Sequence, residues 1–256
     1  MAWPITTVLF SVGFFGAALV LGPASTALGR KKEVDHQEEY IACLALGDTN
    51  PAKAYQNGLA WFKMGGGLPA RHCLAVALAG LGNFAEAASR FETLARDLAV
   101  DRVDLRAAML GHAGQAWLLA GRSVRAAQVQ GTAISLRLSD PALYVDRAVS
   151  LMTLKQYPAA LADLDKALAL APGFADAYLY RASAKRYVGD VAGAWVDVTD
   201  TLILAPGLPA GVLERGILLQ LDGDLDAARS DWLSVIKTAP DSDEARAARA
   251  RIDALN

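Results

Sequence analysis

The sequence predicts an all-α fold, a solenoid of tandem antiparallel helix hairpins. Pro172, Pro206 and Pro240 follow one another at a constant interval, and each comes directly after an alanine. Proline cannot continue a helix, so each one marks the end of a hairpin and the start of the next. Hydrophobic residues make up 54% of the 256 residues but aromatic residues only 7%. Much of the hydrophobic fraction is alanine, which favours closely packed helices.

The same residue types recur when the chain is aligned on these prolines. The predicted first helix of each repeat carries a large residue and, four positions later, a small one: Tyr144 and Ala148, Tyr178 and Ala182, Val212 and Gly216. The second helix carries a small residue and then a large one: Ala160 and Leu164, Ala194 and Val198, Ala228 and Trp232. A step of four places both residues on one helix face, so these columns predict the contact between the two helices.

These columns and the closing proline resemble the tetratricopeptide repeat, which has the same period, about 34 residues. The resemblance implies a right-handed superhelix in which the first helices line a concave groove. It covers 141–240 as three well-formed repeats, and 68–140 as two divergent hairpins in which Gln130 takes a position expected to be large and apolar. The junction near 99–106 is about five residues too long for the repeat. Residues 28–67 are expected to form a degenerate hairpin, and 241–256 a polar capping helix.

Residues 1–27 differ in character from the rest of the chain. No charge occurs from Pro4 to Gly22, and Pro23 is followed by small residues. This pattern is typical of a secretory signal peptide, so we expect export to the periplasm. An uncleaved inner-membrane anchor is the alternative, since the apolar run approaches the length of a bilayer span. The basic residues follow the run rather than precede it, which opposes the usual orientation bias.

Charged residues also recur with the repeat. An arginine in each first helix is followed, at a fixed separation, by an aspartate in the second helix: Arg147 and Asp163, Arg181 and Asp197, Arg215 and Asp231. A hairpin brings such positions together, and a stacked repeat needs the same contact in every copy. We therefore interpret these six residues as a structural ladder of ion pairs.

The two cysteines are expected to form a disulfide. Cys43 and Cys73 fall in the first helices of successive hairpins, and thiols oxidise readily outside the cytosol. Two buried free cysteines are the alternative. A metal-dependent activity using His36, Cys43, His72 and Cys73 is less favoured, because these residues lack the close spacing of zinc ligands. No cofactor or metal is expected.

The function predicted from these features is that of a non-catalytic scaffold in a bacterial envelope complex. The net charge of −2 and the absence of a large basic cluster argue against nucleic-acid binding, and no residues suggest a catalytic site. The resemblance implies a concave groove, here apolar, that binds a peptide or helix of a protein partner. Its predicted lining residues are Val145, Asp146, Val149, Met152, Leu179, Tyr180, Ser183, Arg186, Tyr187, Leu213, Glu214, Ile217 and Gln220.

Within that groove, Tyr180 and Tyr187 are the expected anchors, because amphipathic aromatic side chains often carry interfaces. A self-assembling structural solenoid, in which the same groove contacts a second copy, is the alternative function. Contact with a membrane is expected only through the N-terminal segment, and only if that segment is not cleaved.

Overall fold

A computed structural model describes residues 35–255, and the predicted signal or anchor at 1–27 lies outside this range. The described chain is all-helical, which confirms the predicted fold class. Its helices are α1 (His36–Thr49), α2 (Pro51–Lys63), α3 (Gly67–Gly80), α4 (Phe84–Asp97), α5 (Val103–Leu119), α6 (Ser123–Leu136), α7 (Pro141–Thr153), α8 (Tyr157–Leu170), α9 (Ala175–Tyr187), α10 (Val191–Leu204), α11 (Pro209–Leu221), α12 (Leu225–Thr238) and α13 (Asp243–Asp253).

Local chemistry sets the ends of these helices. α8, α10 and α12 each end two residues before one of the evenly spaced prolines. Asp190 and Asp224 cap α10 and α12, where their carboxylates accept a backbone N–H from the first turn. Gly189 and Gly223, the residues before these caps, have φ of 86° and 87°, a left-handed conformation that glycine adopts without steric cost. The turn inside each of these two hairpins is therefore encoded by a Gly–Asp pair.

The helices pack as two layers. Each even-numbered helix lies antiparallel to the odd-numbered helix before it, and odd-numbered helices also contact the next odd-numbered one, as in α5–α7, α7–α9 and α9–α11. No such extensive contact joins successive even-numbered helices within the described range. In a curved stack the layer with the closer helices is the inner one. The odd-numbered helices therefore form the concave side.

Within each hairpin, the size of one residue compensates for the size of its partner. Trp232 is fully buried, and a Cβ added at Gly216 would overlap its indole ring. Gln130, also fully buried, similarly occupies the space beside Gly114. Close packing leaves no room for a larger residue at either glycine. The small positions predicted from the sequence are therefore the sites where the two helix backbones approach.

The irregular junction near 99–106 is resolved by a longer helix rather than by a longer loop. α5 has 17 residues, whereas α7, α9 and α11 have 13 each. The extra turn lies at the start of α5 and absorbs most of the insertion. None of the helices in residues 35–255 combines the length and the hydropathy of a membrane span.

Candidate functional site

Four polar or ionisable side chains occupy the same position in successive inner helices. His112 on α5, Asp146 on α7, Tyr180 on α9 and Glu214 on α11 are each separated from the next by one repeat period. We call these four residues the inner column. Because the period of the column equals that of the repeat, it presents one functional group per hairpin along the concave side.

Asp146 is recessed between α5 and α7. The Gln115 side-chain amide donates to both of its carboxylate oxygens, at 3.2 Å each. Burial raises the pKa of the Asp146 carboxyl to about 7; nearby Asp140 raises it as well, and the Gln115 hydrogen bond opposes the shift. Desolvation disfavours the ionised form of a carboxyl group that lacks a cationic partner. Asp146 therefore titrates near neutrality.

Tyr180 packs against the buried cluster that contains Leu118 and Val149. Burial raises the pKa of its phenol above the ordinary value of 10, and Asp176, Asp146 and Glu244 raise it further. Three carboxyl groups thus act on one hydroxyl group. The surroundings of Tyr180 disfavour negative charge, and they would favour a positive one.

Glu214 has a different partner. Its two carboxylate oxygens accept from the guanidinium of Arg186 on α9, at 2.6 and 3.2 Å. Both side chains are largely buried, with 12% and 6% exposure for Arg186 and Glu214. Further along the concave side, Arg251 of α13 donates to the Gln220 side chain at 3.0 Å. This end of the groove is therefore neutralised by residues of the chain itself.

The aliphatic residues of the predicted groove are buried. All six are only 5–7% exposed: Val145, Val149, Met152, Leu179, Leu213 and Ile217. Ser183 is buried as well, at 3%. The accessible members of the predicted set are Asp146, Tyr180, Arg186, Tyr187 and Gln220. The expectation of an apolar surface therefore changes: the accessible lining is polar and aromatic, and the aliphatic side chains lie beneath it.

Tyr187, one of the two expected anchors, lies at the last residue of α9. Its ring stacks on the Tyr157 ring at 4.9 Å, with an angle of 1° between the planes, and the Arg186 guanidinium lies 4.6 Å from its centroid. Tyr187 thus contacts the preceding hairpin at the end of the helix. Tyr180 lies near the middle of the same helix and is less exposed than Tyr187.

The structure brings together each of the three predicted arginine–aspartate pairs. Every pair forms two hydrogen bonds, between the arginine Nε and one of its terminal nitrogens and the two carboxylate oxygens, at 2.6–2.9 Å. The aspartate side chains are 8%, 0% and 13% exposed at Asp163, Asp197 and Asp231. These pairs tie the inner helix to the outer helix of one hairpin, so they lie apart from the concave surface.

The N-terminal hairpins carry a cluster of aromatic and histidine rings beside a single arginine–aspartate pair, Arg71 of α3 and Asp97 of α4. The Tyr40 hydroxyl lies 2.8 Å from Nδ1 of His72, and the His72 ring lies 6.1 Å from that of His112. Burial, and to a lesser extent His112, lower the pKa of His72 to about 3. Burial also lowers the pKa of His112, although a hydrogen bond with Gln115 opposes that shift. Both histidines are therefore neutral at pH 7.

The sulfurs of Cys43 and Cys73 face each other across α1 and α3, with their Cα atoms 6.0 Å apart. This separation lies within the range that a disulfide spans. Trp61 donates to Nδ1 of His36 at 2.8 Å, so that ring nitrogen already has a hydrogen-bond partner. Between residues 35 and 255, no group of three or more His, Cys, Asp or Glu residues is arranged to hold a metal ion.

Three residues of the concave side were missed by the sequence reasoning. His112 lies one repeat period before Asp146. Val149, Ser183 and Ile217 of the predicted groove are themselves one period apart. Gln115 lies one period before Val149, and Arg251 lies one period after Ile217. Extending the predicted positions by one period in both directions would have found all three.

Comparison with known proteins identifies the fold. No protein-family model matches the chain, and no curated protein matches it in sequence. Among solved structures, MamA is 18% identical with a TM-score of 0.53, over 64% of this chain and 93% of MamA. A chain of the Cut9–Hcn1 hetero-tetramer of APC/C is 17% identical with a TM-score of 0.66; the match covers 85% of this chain but only 43% of that one.

A third solved structure is YrrB, described as a TPR protein with an unusual peptide-binding site. It is 16% identical with a TM-score of 0.50, over 71% of this chain and 91% of YrrB. At identities this low, structural likeness establishes the fold and not the function. The stacked hairpins, their constant repeat period and these three likenesses show that the chain has the fold of a tetratricopeptide repeat protein.

Proposed function

We propose that the chain is a non-catalytic scaffold that binds a peptide or a helix of a partner protein on its concave side. The inner column carries this proposal, because it places one functional side chain per repeat along a single surface. An extended or helical segment running across the repeats would meet His112, Asp146 and Tyr180 in turn, and then the Arg186 side chain that covers Glu214. A repeat solenoid provides this kind of extended recognition surface.

The contacts available to a partner follow from accessibility. Tyr180, Arg186 and Gln220 are partly accessible, whereas the aliphatic members of the predicted groove are buried beneath them. Tyrosine and arginine are enriched among residues that dominate binding energy. We therefore assign the main partner contacts to the polar and aromatic residues, with the buried aliphatic residues as their support. YrrB, described as having an unusual peptide-binding site, provides a precedent on this fold.

Site-specific photocrosslinking tests this proposal in the full chain. The photoreactive residue p-benzoylphenylalanine replaces Tyr180 on the concave side, and in a matched control it replaces Ser230, which is exposed on the outer helix α12. After irradiation in cells, we expect a discrete product with a different protein from position 180 and no such product from position 230. Equal labelling at both positions, or no product at position 180, contradicts the proposal.

The same experiment separates the scaffold from the self-assembling solenoid. If the concave side contacts a second copy, the product at position 180 has twice the mass of the chain and contains only its peptides. A product of that composition contradicts a heterologous partner and supports self-assembly. Light scattering over a range of concentrations then gives the oligomeric state.

We also propose that the scaffold is exported and acts in a bacterial envelope complex. The uncharged run from Pro4 to Gly22, followed by small residues, supports a cleaved secretory signal. The mass of the mature protein tests cleavage. Loss of about 27 residues is the expected result, whereas an intact Met1 contradicts cleavage and leaves the anchored form.

A further inference from the structure

Two acidic residues of the inner column, Asp146 and Glu214, have different hydrogen-bond partners. Glu214 is neutralised by the guanidinium of Arg186, which forms two hydrogen bonds to it. Asp146, at the same position two repeats earlier, receives only the uncharged amide of Gln115. No ion pair in the described part of the chain includes Asp146. A recessed carboxylate without a cation is costly, so this difference requires an explanation.

The repeat period identifies the position before Asp146 that corresponds to Arg186 before Glu214. Arg186 lies in the inner helix before that of Glu214, and the residue at the same distance before Asp146 is Leu118. Leu118 lies on α5 and is 5% exposed. The chain therefore has a leucine where the corresponding pair has its arginine, so the fold supplies no cation to Asp146 at this position.

Tyr180 gives a second and independent indication of a ligand. Its hydroxyl group forms no hydrogen bond with the residues of 35–255, although its surroundings withdraw it from solvent strongly enough to raise its pKa. That hydroxyl group is not among the buried polar atoms that lack a partner, so it stays accessible and can accept a hydrogen bond from a ligand. Asp176 lies one turn before Tyr180 on α9, and neither Asp176 nor Asp146 is paired with a lysine or arginine in the described structure.

We propose that the recess between Asp146 and Tyr180 binds a basic side chain, arginine or lysine, of the partner segment. The proposal rests on the proposed function and names the chemistry of the segment. A guanidinium or ammonium group would pair with the Asp146 carboxylate and satisfy the Tyr180 hydroxyl with a donor. The face of the Tyr180 ring adds a cation–π contact. Since no metal-binding cluster occurs in residues 35–255, an organic cation is favoured over a metal ion.

Binding at this recess is expected to depend on pH. The groups that act on the pKa of the Asp146 carboxyl are Gln115 of α5 and Asp140 immediately before α7, and Asp146 in turn raises the pKa of Tyr180 of α9. Arg147, the neighbour of Asp146, is directed to the other side of α7, where it pairs with Asp163 of α8. Only the ionised carboxylate attracts a cation, and its pKa is about 7. Affinity should therefore decrease as the pH falls through about 7.

A titration of the full chain with blocked amino acids tests the proposal. The probe is N-acetyl-arginine methylamide, and its neutral isostere is the corresponding citrulline compound. The side-chain amide signals of Gln115 report binding by NMR, because that amide donates to Asp146. For a ligand of this size we expect a dissociation constant on the order of 1 mM, with the citrulline compound about tenfold weaker or more.

Two variants localise the binding. Asp146→Asn keeps the shape and the hydrogen bond and should abolish both the preference for arginine and its dependence on pH. Asp48→Asn removes an equal charge from an exposed position on α1 and should change neither. Leu118→Arg supplies the internal cation and should block the probe in the same way that Arg186 neutralises Glu214. If that variant does not fold, the conservative Asp146→Asn variant carries the test.

Three outcomes would overturn the inference: equal affinity for arginine and citrulline compounds, no shift at Gln115, or an arginine preference that persists in Asp146→Asn. Spermidine binding more tightly than the blocked arginine would assign the recess to free polyamines and would also contradict a side chain of a partner. These results are separate from the crosslinking at position 180. A partner captured there without any preference for a cation would retain the scaffold and remove only this inference.

Discussion

The two halves of the described chain are stabilised by different means. In the three regular repeats, α7–α12, the same arginine–aspartate pair joins the two helices of every hairpin. In α1–α5, the corresponding role falls to contacts that occur once: a single ion pair between Arg71 and Asp97, a histidine–aromatic cluster and two facing cysteines. Contacts that repeat can be read from the period of the sequence, whereas single contacts depend on how particular hairpins meet. The arginine–aspartate pairs therefore belong to the repeat, whereas the ring cluster and the cysteines are particular to this protein.

The largest effect is expected from the cysteines of the N-terminal half. A bond between Cys43 and Cys73 closes a loop of 30 residues, and on the chain-entropy estimate it contributes about 3–4 kcal/mol. Reduction, or the double substitution Cys43→Ser and Cys73→Ser, should lower the free energy of unfolding of this half by that amount. Thermal unfolding with and without reductant measures the change.

Hydrogen exchange shows which half is affected. Amides of α1–α3 should lose protection on reduction, while those of α9–α12 should keep it, because the arginine–aspartate pairs do not depend on the sulfurs. A thiol assay of the unfolded, unreduced protein provides the check. Two reactive thiols would contradict the bond.

The second effect concerns the regular half. Asp197 is fully buried and pairs with both Arg181 and Lys185, whereas Asp231 is 13% exposed and pairs with Arg215. Asp197→Asn should therefore cost about 3 kcal/mol, and Asp231→Asn about 1 kcal/mol. Urea denaturation of both variants and of Asp163→Asn measures the order. Equal costs at all three positions would show that burial does not set the strength of these pairs.

Much of this architecture could be predicted from the sequence, for a physical reason. Pro172, Pro206 and Pro240 cannot continue the helices that precede them, so they fix where those helices end. Arg147 meets Asp163 once the two helices form an antiparallel hairpin. The partners of the inner column could not be predicted in the same way. Gln115 meets Asp146 across two hairpins, and that distance depends on the curvature of the stack rather than on a fixed spacing. The burial of the aliphatic groove residues follows from the same curvature.

The third effect is on the pH dependence of the N-terminal half. The pKa of His72 is about 3 in the folded chain, against an ordinary value of 6.5 for an exposed histidine. The unfolded chain therefore binds a proton at this residue as the pH falls below about 6.5, whereas the folded chain does not. Stability contributed by neutral His72 is complete above that pH and is lost progressively toward about 3. The loss from this one group is roughly 1 kcal/mol per pH unit.

The variant His72→Gln sharpens this prediction, since glutamine retains polarity without titrating. Its unfolding free energy should depend less steeply on pH between about 4 and 6 than that of the unmodified chain. Parallel slopes for the two proteins would contradict the assignment.

The smallest effect, and the most direct test of the binding account, compares the two acidic residues of the inner column. The folded-state pKa of Asp146 is raised from 3.8 to about 7, so the fold loses stability as the pH rises from 3.8 through about 7. If this charge is kept for a ligand, Asp146→Asn should make the free chain more stable at about pH 8, by about 1–2 kcal/mol. Glu214→Gln, which leaves Arg186 without its carboxylate, should make the chain less stable.

Urea unfolding of these two variants beside the unmodified chain, at a pH of about 8 where the Asp146 carboxyl is ionised, decides the matter. Stabilisation by Asp146→Asn together with destabilisation by Glu214→Gln is the predicted result. A loss of stability in both variants would contradict the account, because Asp146 would then serve the fold in the same way as Glu214.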